Sequence, residues 1–204
     1  MIDHIKKISE KLKSKFFFDY DMSQNVWFRA GGKTSIYCIV HDYNELQIIL
    51  NEIGDFPYEV IGAGSNILIR DRGFNGIIMK LGKEFNNIKI IDSSIEVGAG
   101  ILDINLAKFA EINNIKNLEF YTGIPGTIGG AVIMNAGCYG SETKNIIKEI
   151  KTINKEGELV SYYKDQINFN YRESNLPKDA IIISAKYECF YGDKEEIRIK
   201  MKNI

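Results

Sequence analysis

The segment that most constrains the fold is an uncharged, glycine-rich stretch at residues 120–141. It holds 22 residues without a charged side chain, in a chain whose charged fraction is 26%, and it carries six of the 18 glycines. Glycine lets another group approach the main chain closely, and Pro125 makes the preceding Ile124 extended. Backbone N–H groups at the start of the apolar run 131–134 suit a phosphate or the polar edge of a ring. The stretch therefore predicts backbone that lies against a ligand.

Two other interpretations of this stretch are a membrane span and a tight core crossover without a ligand. The glycines, Pro125, Asn135 and the lack of about 20 consecutive apolar residues disfavour a membrane span. A crossover without a ligand stays open when this stretch is considered alone.

The composition is that of an ordinary globular protein and disfavours a nucleic-acid partner. Apolar residues make up 45% and aromatic residues 11% of a chain of 204 residues, which allows one large domain or two small ones. The net charge is −1, whereas affinity for a phosphate backbone comes from clustered Lys and Arg. We therefore expect no nucleic-acid partner.

The cysteines and the first residues indicate a cytoplasmic protein. An odd number of widely spaced cysteines forms neither a disulfide framework nor a metal-binding knuckle, so we expect free thiols and no metal. Residues 1–20 lack the apolar core of a signal peptide and predict an amphipathic helix with Ile5, Ile8 and Leu12 on one side. The cysteines are Cys38, Cys138 and Cys189.

A second glycine-rich loop, residues 62–66, follows a strand that is predicted to end at residue 61. Residues 67–69 then resume β character, and a turn at 73–76 leads into a strand at 77–81. The loop is a poor dinucleotide fingerprint, because an isoleucine occupies the place of the third glycine and a strand follows instead of a helix. A diphosphate bound here would be held by N–H groups and small polar side chains.

The rest of the pattern predicts an α+β fold. Helical spacing of apolar residues predicts helices, alternation predicts strands, and Asp193 with Glu196 forms a capping box before a last helix. The predicted elements are a strand at 35–40, a helix at 42–53, a strand pair at 88–91 and 95–97, a helix at 102–113, a hairpin at 146–154 and 158–163, a strand at 180–190, and a helix with Ile197, Met201 and Ile204 as its apolar residues.

Two arginines beside aromatic residues each have two interpretations. We expect Trp27 and Phe28 in the core, while Arg29 is either a surface charge or a phosphate ligand next to a double glycine. Arg172 follows Tyr171 in a short polar loop, where it either forms a salt bridge or projects a fixed positive charge into a site.

Six motifs occur in a fixed order along nearly the whole chain. They are NVWFRAGG at 25–32, GAGSN at 62–66, GFNGIIMKL at 73–81, GAG at 98–100, NLEFYTGIPGTIGGAVIMNAGCYG at 117–140 and YRES at 171–174. Together they resemble the UDP-N-acetylenolpyruvoylglucosamine reductase family, the flavoenzymes of peptidoglycan precursor synthesis. The resemblance implies an α+β, two-lobed FAD-binding module of the vanillyl-alcohol oxidase (PCMH) type. Residues 1–82 would form the small lobe and residues 83–204 the large lobe.

The resemblance also implies where FAD binds. The loop at 62–66 would hold the diphosphate, and residues 122–131 would wrap the flavin. Since Ser65 and Asn66 stand where relatives with covalent flavin often carry a histidine, we expect non-covalent FAD. The implied cofactor-binding residues are Gly62, Ala63, Gly64, Ser65, Asn66, Thr122, Gly123, Ile124, Pro125, Gly126, Gly129, Gly130 and Ala131.

The family reaction implies NADPH as the hydride donor and a UDP-sugar carrying an enolpyruvyl group as the substrate. In the family an arginine after a tyrosine stabilises the negative charge that develops on the substrate, and Arg172 matches it. A planar, always charged guanidinium suits this task. The resemblance therefore implies Arg172 as the catalytic residue and Tyr171, Arg172 and Asn135 as substrate-binding residues.

The chain departs from the family pattern in one respect. The proton-donating serine of the family lies in a Gly-Ser-x-Phe-Lys-Asn-Pro segment, which does not occur in these 204 residues, and Ser141 has the wrong neighbours to replace it. The family's partnering glutamate, near the end of its chain, is likewise missing. We therefore expect a chain that lacks most of the substrate domain, binds FAD and does not turn over substrate alone. The alternatives are another flavin oxidoreductase of this fold and a non-catalytic remnant.

Overall fold

The computed structural model describes residues 1–204 and contains five α-helices and 15 strands. The helices are α1 (Ile2–Ser9), α2 (Tyr43–Ile53), α3 (Asp103–Ile112), α4 (Ile128–Ile133) and α5 (Lys194–Lys202). The strands are β1 (Lys15–Asp21), β2 (Lys33–Val40), β3 (Tyr58–Ile61), β4 (Phe74–Leu81), β5 (Ile88–Ile91), β6 (Ser94–Gly98), β7 (Ile115–Lys116), β8 (Gly137–Cys138), β9 (Ser141–Glu142), β10 (Ile147–Ile153), β11 (Leu159–Tyr163), β12 (Phe169–Asn170), β13 (Glu173–Ser174), β14 (Ile181–Glu188) and β15 (Phe190–Tyr191). Short 3-10 helices lie at Met22–Asn25, Lys83–Phe85, Glu119–Gly123, Thr143–Asn145 and Lys164–Gln166.

The first sheet has the strand order β1-β2-β4-β3 and is covered on one side by α2. The β1 strand pairs antiparallel with β2, whereas β4 is parallel to both β2 and β3. Helix α2 begins after Asp42, whose carboxylate accepts a hydrogen bond from the Glu45 N–H at 2.9 Å. Its buried face follows the predicted helical spacing and comprises Leu46, Ile49, Leu50 and Ile53.

The second sheet is fully antiparallel and has the order β11-β10-β14-β6-β5. The predicted hairpin is confirmed as β10 and β11, joined by a turn in which Gly157 has φ +79°. Helices α3 and α4 belong to the core on this sheet, whose buried residues lie between Ile95 and Cys189. Strands β10 and β14 also reach the first core, through Ile153 and Ile181.

The two sheets are therefore in direct contact. The Tyr58 hydroxyl donates to the Asp179 carbonyl at 2.6 Å, and the Gln47 amide donates to the Gly157 carbonyl at 2.6 Å. The chain passes from the first sheet to the second between Leu81 and Ile88. The first residue of β3 thus lies close to the loop that precedes β14, and α2 lies close to the turn of the β10–β11 hairpin.

The N-terminal helix was predicted too long and two aromatic residues were misplaced. Helix α1 ends at Ser9, so Leu12 lies beyond it. Trp27 and Phe28 are 61% and 64% exposed, which makes their assignment to the core wrong. The Trp27 N–H donates to the Gly64 carbonyl at 3.0 Å, so this segment runs along the outside of the glycine loop.

Three further predictions were wrong in their boundaries or type. Residues 67–69 form no strand, because they pair with no neighbour. Residues 74–76, predicted as part of a turn, are the start of β4. The Asp193 cap is confirmed at α5, where the carboxylate accepts from the Glu195 and Glu196 N–H groups, but Ile204 lies past the end of the helix.

No helix is both long enough and apolar enough to cross a membrane. The three cysteines are free, as expected.

Candidate functional site

A large cleft, with a volume of about 1090 Å³, lies where the two sheets meet. It is lined by the carboxyl end of β3 and the loop after it, by the segment from Gly123 to Glu142, and by the hairpin of β12 and β13. The uncharged stretch and the second glycine loop, which are 60 residues apart in sequence, therefore form two walls of one cavity.

The first wall is the loop at residues 62–66. Gly64 has φ +71°, a left-handed conformation that glycine adopts without steric cost. A Cβ on Gly64 would overlap the Asn25 carbonyl, because the loop packs against the segment that carries Trp27. One side of the loop main chain thus packs against residues 25–26, and the other side faces the cleft.

The second wall runs from the 3-10 helix at Glu119–Gly123 into α4. Ile124, before Pro125, is extended with φ −108° and ψ 113°, as predicted. The N–H groups of Ile128 and Gly129 donate to the carbonyls of Ile101 and Ala99 at 2.9 and 3.0 Å. These two N–H groups of the α4 N-terminus are therefore already used inside the protein.

The two walls touch each other. A Cβ on Gly62 would overlap the Thr127 hydroxyl and lie 3.3 Å from the Thr127 Cβ and Cγ2 atoms. A Cβ at position 62 would require the Thr127 side chain to move, so the two walls are in close contact at this point.

Twelve of the thirteen residues that the resemblance implies for the cofactor line the cleft. Thr122 is the exception, and its hydroxyl is buried without a hydrogen-bond partner. The lining residues among them are Gly62, Ala63, Gly64, Ser65, Asn66, Gly123, Ile124, Pro125, Gly126, Gly129, Gly130 and Ala131. The structure brings them together, and their contact with a cofactor stays a prediction.

Arg172 lines the same cleft at the turn of the β12–β13 hairpin. It has φ +54°, a conformation that costs a non-glycine residue about 1–3 kcal/mol and recurs at functional sites. Its Nε donates to the Tyr171 hydroxyl at 3.3 Å, and the guanidinium carbon lies 5.6 Å from the centre of the Tyr171 ring. No acidic side chain pairs with Arg172, so the salt-bridge interpretation is wrong and the positive charge is available in the cleft.

Asn135 is buried, and its side chain makes hydrogen bonds within the protein. The amide nitrogen donates to Glu142 Oε2 at 2.6 Å and to the Asn170 carbonyl at 3.2 Å, and the amide oxygen accepts from the Lys144 N–H at 3.0 Å. Asn170 immediately precedes the turn with Tyr171 and Arg172. Asn135 thereby holds the hairpin that presents Arg172.

Asp103 is a cleft residue that the sequence did not single out. It is fully buried as the first residue of α3, and neither carboxyl oxygen has a hydrogen-bond partner. Burial raises the pKa of this carboxyl to about 8. An acidic residue in the first turn of a helix is common at exposed positions, so the sequence carries no sign of its burial. The one signal is the Gly-Ala-Gly motif at 98–100, which ends two residues before this helix.

Comparison with known proteins agrees with this architecture. Residues 34–162 match the protein family described as FAD binding domain. The chain is 42% identical over 194 residues to UDP-N-acetylenolpyruvoylglucosamine reductase of Rickettsia massiliae, an alignment that covers 95% of this chain and 66% of that protein. The chain thus spans just under two thirds of the length of this relative.

Solved structures share the fold. UDP-N-acetylenolpyruvylglucosamine reductase (MurB) from Thermus caldophilus superimposes with a TM-score of 0.80 at 28% identity, over 94% of this chain and 67% of that one. 6-Hydroxy-D-nicotine oxidase from Arthrobacter nicotinovorans gives a TM-score of 0.64 at 15% identity, over 88% of this chain and 43% of that one, which shows the fold alone. The α+β fold of the vanillyl-alcohol oxidase type and the resemblance to these reductases are confirmed, and the chain belongs to the FAD binding domain family.

Proposed function

We propose that this chain is the FAD-binding part of a UDP-N-acetylenolpyruvoylglucosamine reductase. The whole enzyme would use NADPH and FAD to reduce UDP-N-acetylglucosamine enolpyruvate to UDP-N-acetylmuramate. The relatives' names and the shared fold support this assignment. The observation that carries it is the cleft itself, in which two glycine-rich walls meet and an unpaired arginine is held in a left-handed turn.

The lining of the cleft fits a flavin dinucleotide. Its glycine backbone leaves room for a flat ring and exposes polar main-chain groups. The volume of about 1090 Å³ is slightly above the range of about 300–1,000 Å³ that is typical of small-molecule and cofactor pockets, so an extended ligand has room. The Asp103 carboxyl is buried there without a partner, as is the hydroxyl of Ser174. Buried polar atoms of this kind gain hydrogen bonds when a polar ligand enters.

The two walls would divide the cofactor between them. The loop at 62–66 would hold the diphosphate through N–H groups and the side chains of Ser65 and Asn66. Residues 122–131 would lie along the flavin. We propose non-covalent binding, because the loop carries no histidine. The small lobe at 1–82 and the large lobe at 83–204 would each supply one wall.

Bound FAD would supply the hydride that the enolpyruvyl group receives. Arg172 would hold a fixed positive charge against the substrate carboxylate and stabilise the negative charge that develops beside it. The Tyr171 hydroxyl, which accepts from the Arg172 Nε, orients the guanidinium, and Asn135 fixes the hairpin from behind. No residue of this chain is assigned as the proton donor. We therefore propose that turnover requires the part of the protein that the relatives carry beyond the matched length.

The cellular location is proposed on the same basis. NADPH and UDP-sugars are cytoplasmic metabolites, and three free thiols are compatible with a reducing compartment. We therefore place the protein in the cytoplasm.

The first prediction concerns the cofactor and turnover. Purified chain mixed with FAD is expected to retain a flavin absorbance band after desalting, whereas NADPH consumption that depends on the UDP-sugar is expected to be absent. Free FAD with NADPH and the UDP-sugar is the control.

A chain that takes up no FAD would overturn the proposed cofactor and favour a non-catalytic remnant. UDP-sugar-dependent NADPH consumption by this chain alone would refute the proposed incompleteness, and oxygen consumption with small alcohols would indicate a different oxidoreductase.

The second prediction concerns Arg172. Arg172→Ala is expected to weaken binding of the UDP-sugar to the FAD-loaded chain by about 10- to 100-fold, because a charge-assisted hydrogen bond contributes about 1.5–3 kcal/mol. The measurement is the substrate-induced change in the flavin absorbance spectrum. FAD affinity is expected to stay within about twofold, since Arg172 is assigned to the substrate.

A matched control for Arg172 is Lys178→Ala, which removes another positive charge from the lining of the same cleft. Its expected effect on UDP-sugar binding is less than about threefold, because an exposed lysine without a fixed partner contributes little. Equal losses in the two variants would show a general electrostatic effect and contradict the specific role of Arg172.

A further inference from the structure

The carboxyl group of Asp103 is in an unusual environment. It has no exposed surface, and neither Oδ1 nor Oδ2 has a hydrogen-bond partner in the protein. A buried polar group without partners destabilises the folded state, and native proteins seldom keep one unless a ligand, ion or water satisfies it. Asp103 is among the residues that line the cleft, so a ligand there would meet its carboxyl group after a small displacement of the atoms that cover it.

The carboxyl lies directly against the second wall. The Asp103 N–H donates to the Gly126 carbonyl at 3.1 Å, and a Cβ on Gly126 would lie 2.7 Å from Asp103 Oδ2. The same segment is tied to the start of α3 by the bridge between Leu102 and Thr127. The position of Asp103 is thus fixed relative to residues 122–131, and at position 126 only main-chain atoms stand beside its carboxyl group.

The surroundings keep this carboxyl neutral. No Lys, Arg or His side chain forms an ion pair with it. Burial raises its pKa to about 8, and this effect outweighs the lowering of the pKa by the nearby Gly126 N–H, which makes no hydrogen bond of good geometry to the carboxyl. The nearby titratable groups are the phenols of Tyr121 and Tyr187, whose pKa values burial also raises, so they remain uncharged. The other charged residues that line the cleft are Glu59, Lys80, Glu142, Arg172 and Lys178.

A neutral carboxyl group presents one O–H donor and one acceptor side by side. The edge of a flavin ring carries a C=O and an N–H side by side, so the ring C=O can accept from the carboxyl O–H while the ring N–H donates to the carboxyl C=O. Each ribityl hydroxyl can likewise donate and accept a hydrogen bond. A diphosphate offers only acceptors and would be repelled whenever the carboxyl ionises.

On the basis of the proposed FAD binding, we propose that Asp103 is a cofactor-binding residue whose neutral carboxyl group hydrogen-bonds the riboflavin half of FAD. Its role would be separate from that of the loop at 62–66, which is assigned to the diphosphate.

Binding of three probes to Asp103→Leu and Asp103→Asn tests this assignment. Titrations with FAD, riboflavin and ADP, followed by flavin fluorescence or calorimetry, compare each variant with the wild-type chain. Asp103→Leu is expected to lose about 10- to 100-fold in affinity for FAD and riboflavin, as for the loss of one or two buried hydrogen bonds. Its affinity for ADP is expected to be unchanged. Asp103→Asn keeps a neutral donor and acceptor and is expected to lose less than about threefold.

The pH dependence gives a second readout. The affinity of the wild-type chain for riboflavin is expected to be constant below about pH 7 and to fall above pH 8, where Asp103 ionises. The Asp103→Asn variant is expected to show no such fall, because its amide does not ionise.

Glu119→Gln is the matched control. Glu119 is also a buried carboxyl whose Oε1 has no hydrogen-bond partner, but that oxygen lies 3.9 Å from Lys200 Nζ and the residue does not line the cleft. This variant is expected to bind all three probes like the wild type. Wild-type affinity of Asp103→Leu for riboflavin would overturn the proposal, as would equal losses for ADP and riboflavin or an Asn variant as weak as the Leu variant. Failure of the wild-type chain to bind FAD at all would instead overturn the proposed function.

Discussion

Asp103→Asn is expected to raise the free energy of unfolding of the FAD-free protein by about 4 kcal/mol at pH 7. The cause is the buried carboxyl group, whose pKa rises from 3.8 in the unfolded chain to about 8 in the folded one. At pH 7 the unfolded chain carries this group ionised, whereas the folded protein must keep it protonated. Folding therefore takes up a proton, and an asparagine removes that requirement.

The size of the effect depends on pH within a defined window. Between about pH 4 and pH 8 the folded state binds more protons at this site than the unfolded state, so its contribution to stability falls as the pH rises. Each pH unit in this window lowers the stability of the wild type relative to the variant by about 1.4 kcal/mol. Below pH 4 both states are protonated and the difference disappears.

Urea unfolding of both proteins at several pH values between 5 and 8, without FAD, measures this difference. Asp55→Asn is the control, since Asp55 is exposed and makes no hydrogen bond or ion pair. Its stability is expected to track the wild type at every pH. A difference between Asp103→Asn and wild type that is the same at pH 5 and pH 8 would show that the carboxyl is already satisfied, by a bound water or by local rearrangement.

This expectation connects stability to the cofactor. An unpartnered buried carboxyl destabilises the FAD-free protein, and hydrogen bonds to FAD would recover part of that cost on binding. The stabilisation by saturating FAD is therefore expected to be larger for wild type than for Asp103→Leu. Residues arranged to bind a ligand commonly lower the stability of the ligand-free protein.

The sequence predicted those parts of the fold that local chemistry determines. The hairpin at Gly157, helix α2 with its Asp42 cap and the extended Ile124 before Pro125 follow from residues adjacent in the chain. The absence of charge from residues 120–141 predicted backbone that lies against a ligand; many of these residues line the cleft, and their contact with a ligand stays a prediction.

Other features depend on contacts between segments that are distant in the chain, and for these features the predictions from residue type were wrong. Trp27 and Phe28 have large apolar side chains of the kind usually found in a core. The segment that carries them runs along the outside of the loop at 62–66, which leaves both side chains exposed. Residues 67–69 have strand-like composition, yet no neighbouring strand is placed to pair with them. Asp103 is the opposite case: tertiary packing buries an aspartate, a residue type that is seldom buried.

The two glycine-rich walls show how far the prediction of the site extends. Each loop was identified separately as backbone suited to a ligand. Their contact at Gly62 and Thr127, and the hydrogen bonds through which Asn135 supports the Arg172 hairpin, join residues 35 to 65 positions apart. Such pairings cannot be predicted from spacing within one motif.

Gly62→Ala is expected to have the second large effect, a loss of about 1–3 kcal/mol in stability together with a loss of FAD binding. The added Cβ would overlap the Thr127 hydroxyl and push the two walls of the cleft apart. Since both walls are proposed to contact FAD, their separation would disrupt the cofactor site as well as the packing. Chemical unfolding gives the stability, and flavin fluorescence gives the affinity.

Gly130→Ala is the control for the added methyl group. A Cβ at Gly130 would have only the Thr127 hydroxyl nearby, at 3.8 Å, which is an ordinary contact. Because this glycine lies within α4, its replacement is expected to leave stability unchanged or raise it by up to about 1 kcal/mol. A destabilised Gly130→Ala would indicate that α4 tolerates no added methyl group, whatever the contact.

A second substitution separates the clash from any other effect of Gly62→Ala. Thr127→Ala removes the hydroxyl and the Cγ2 atom, so that the Cβ atoms of the two alanines would lie about 3.3 Å apart, which a small shift relieves. The double variant Gly62→Ala with Thr127→Ala is therefore expected to recover at least about half of the lost stability, a coupling energy of about 1 kcal/mol, and to regain FAD binding. Additive losses in the double variant would show that the two walls do not meet at this contact. Recovery of stability without recovery of FAD binding would show that the contact packs the fold but does not form the site.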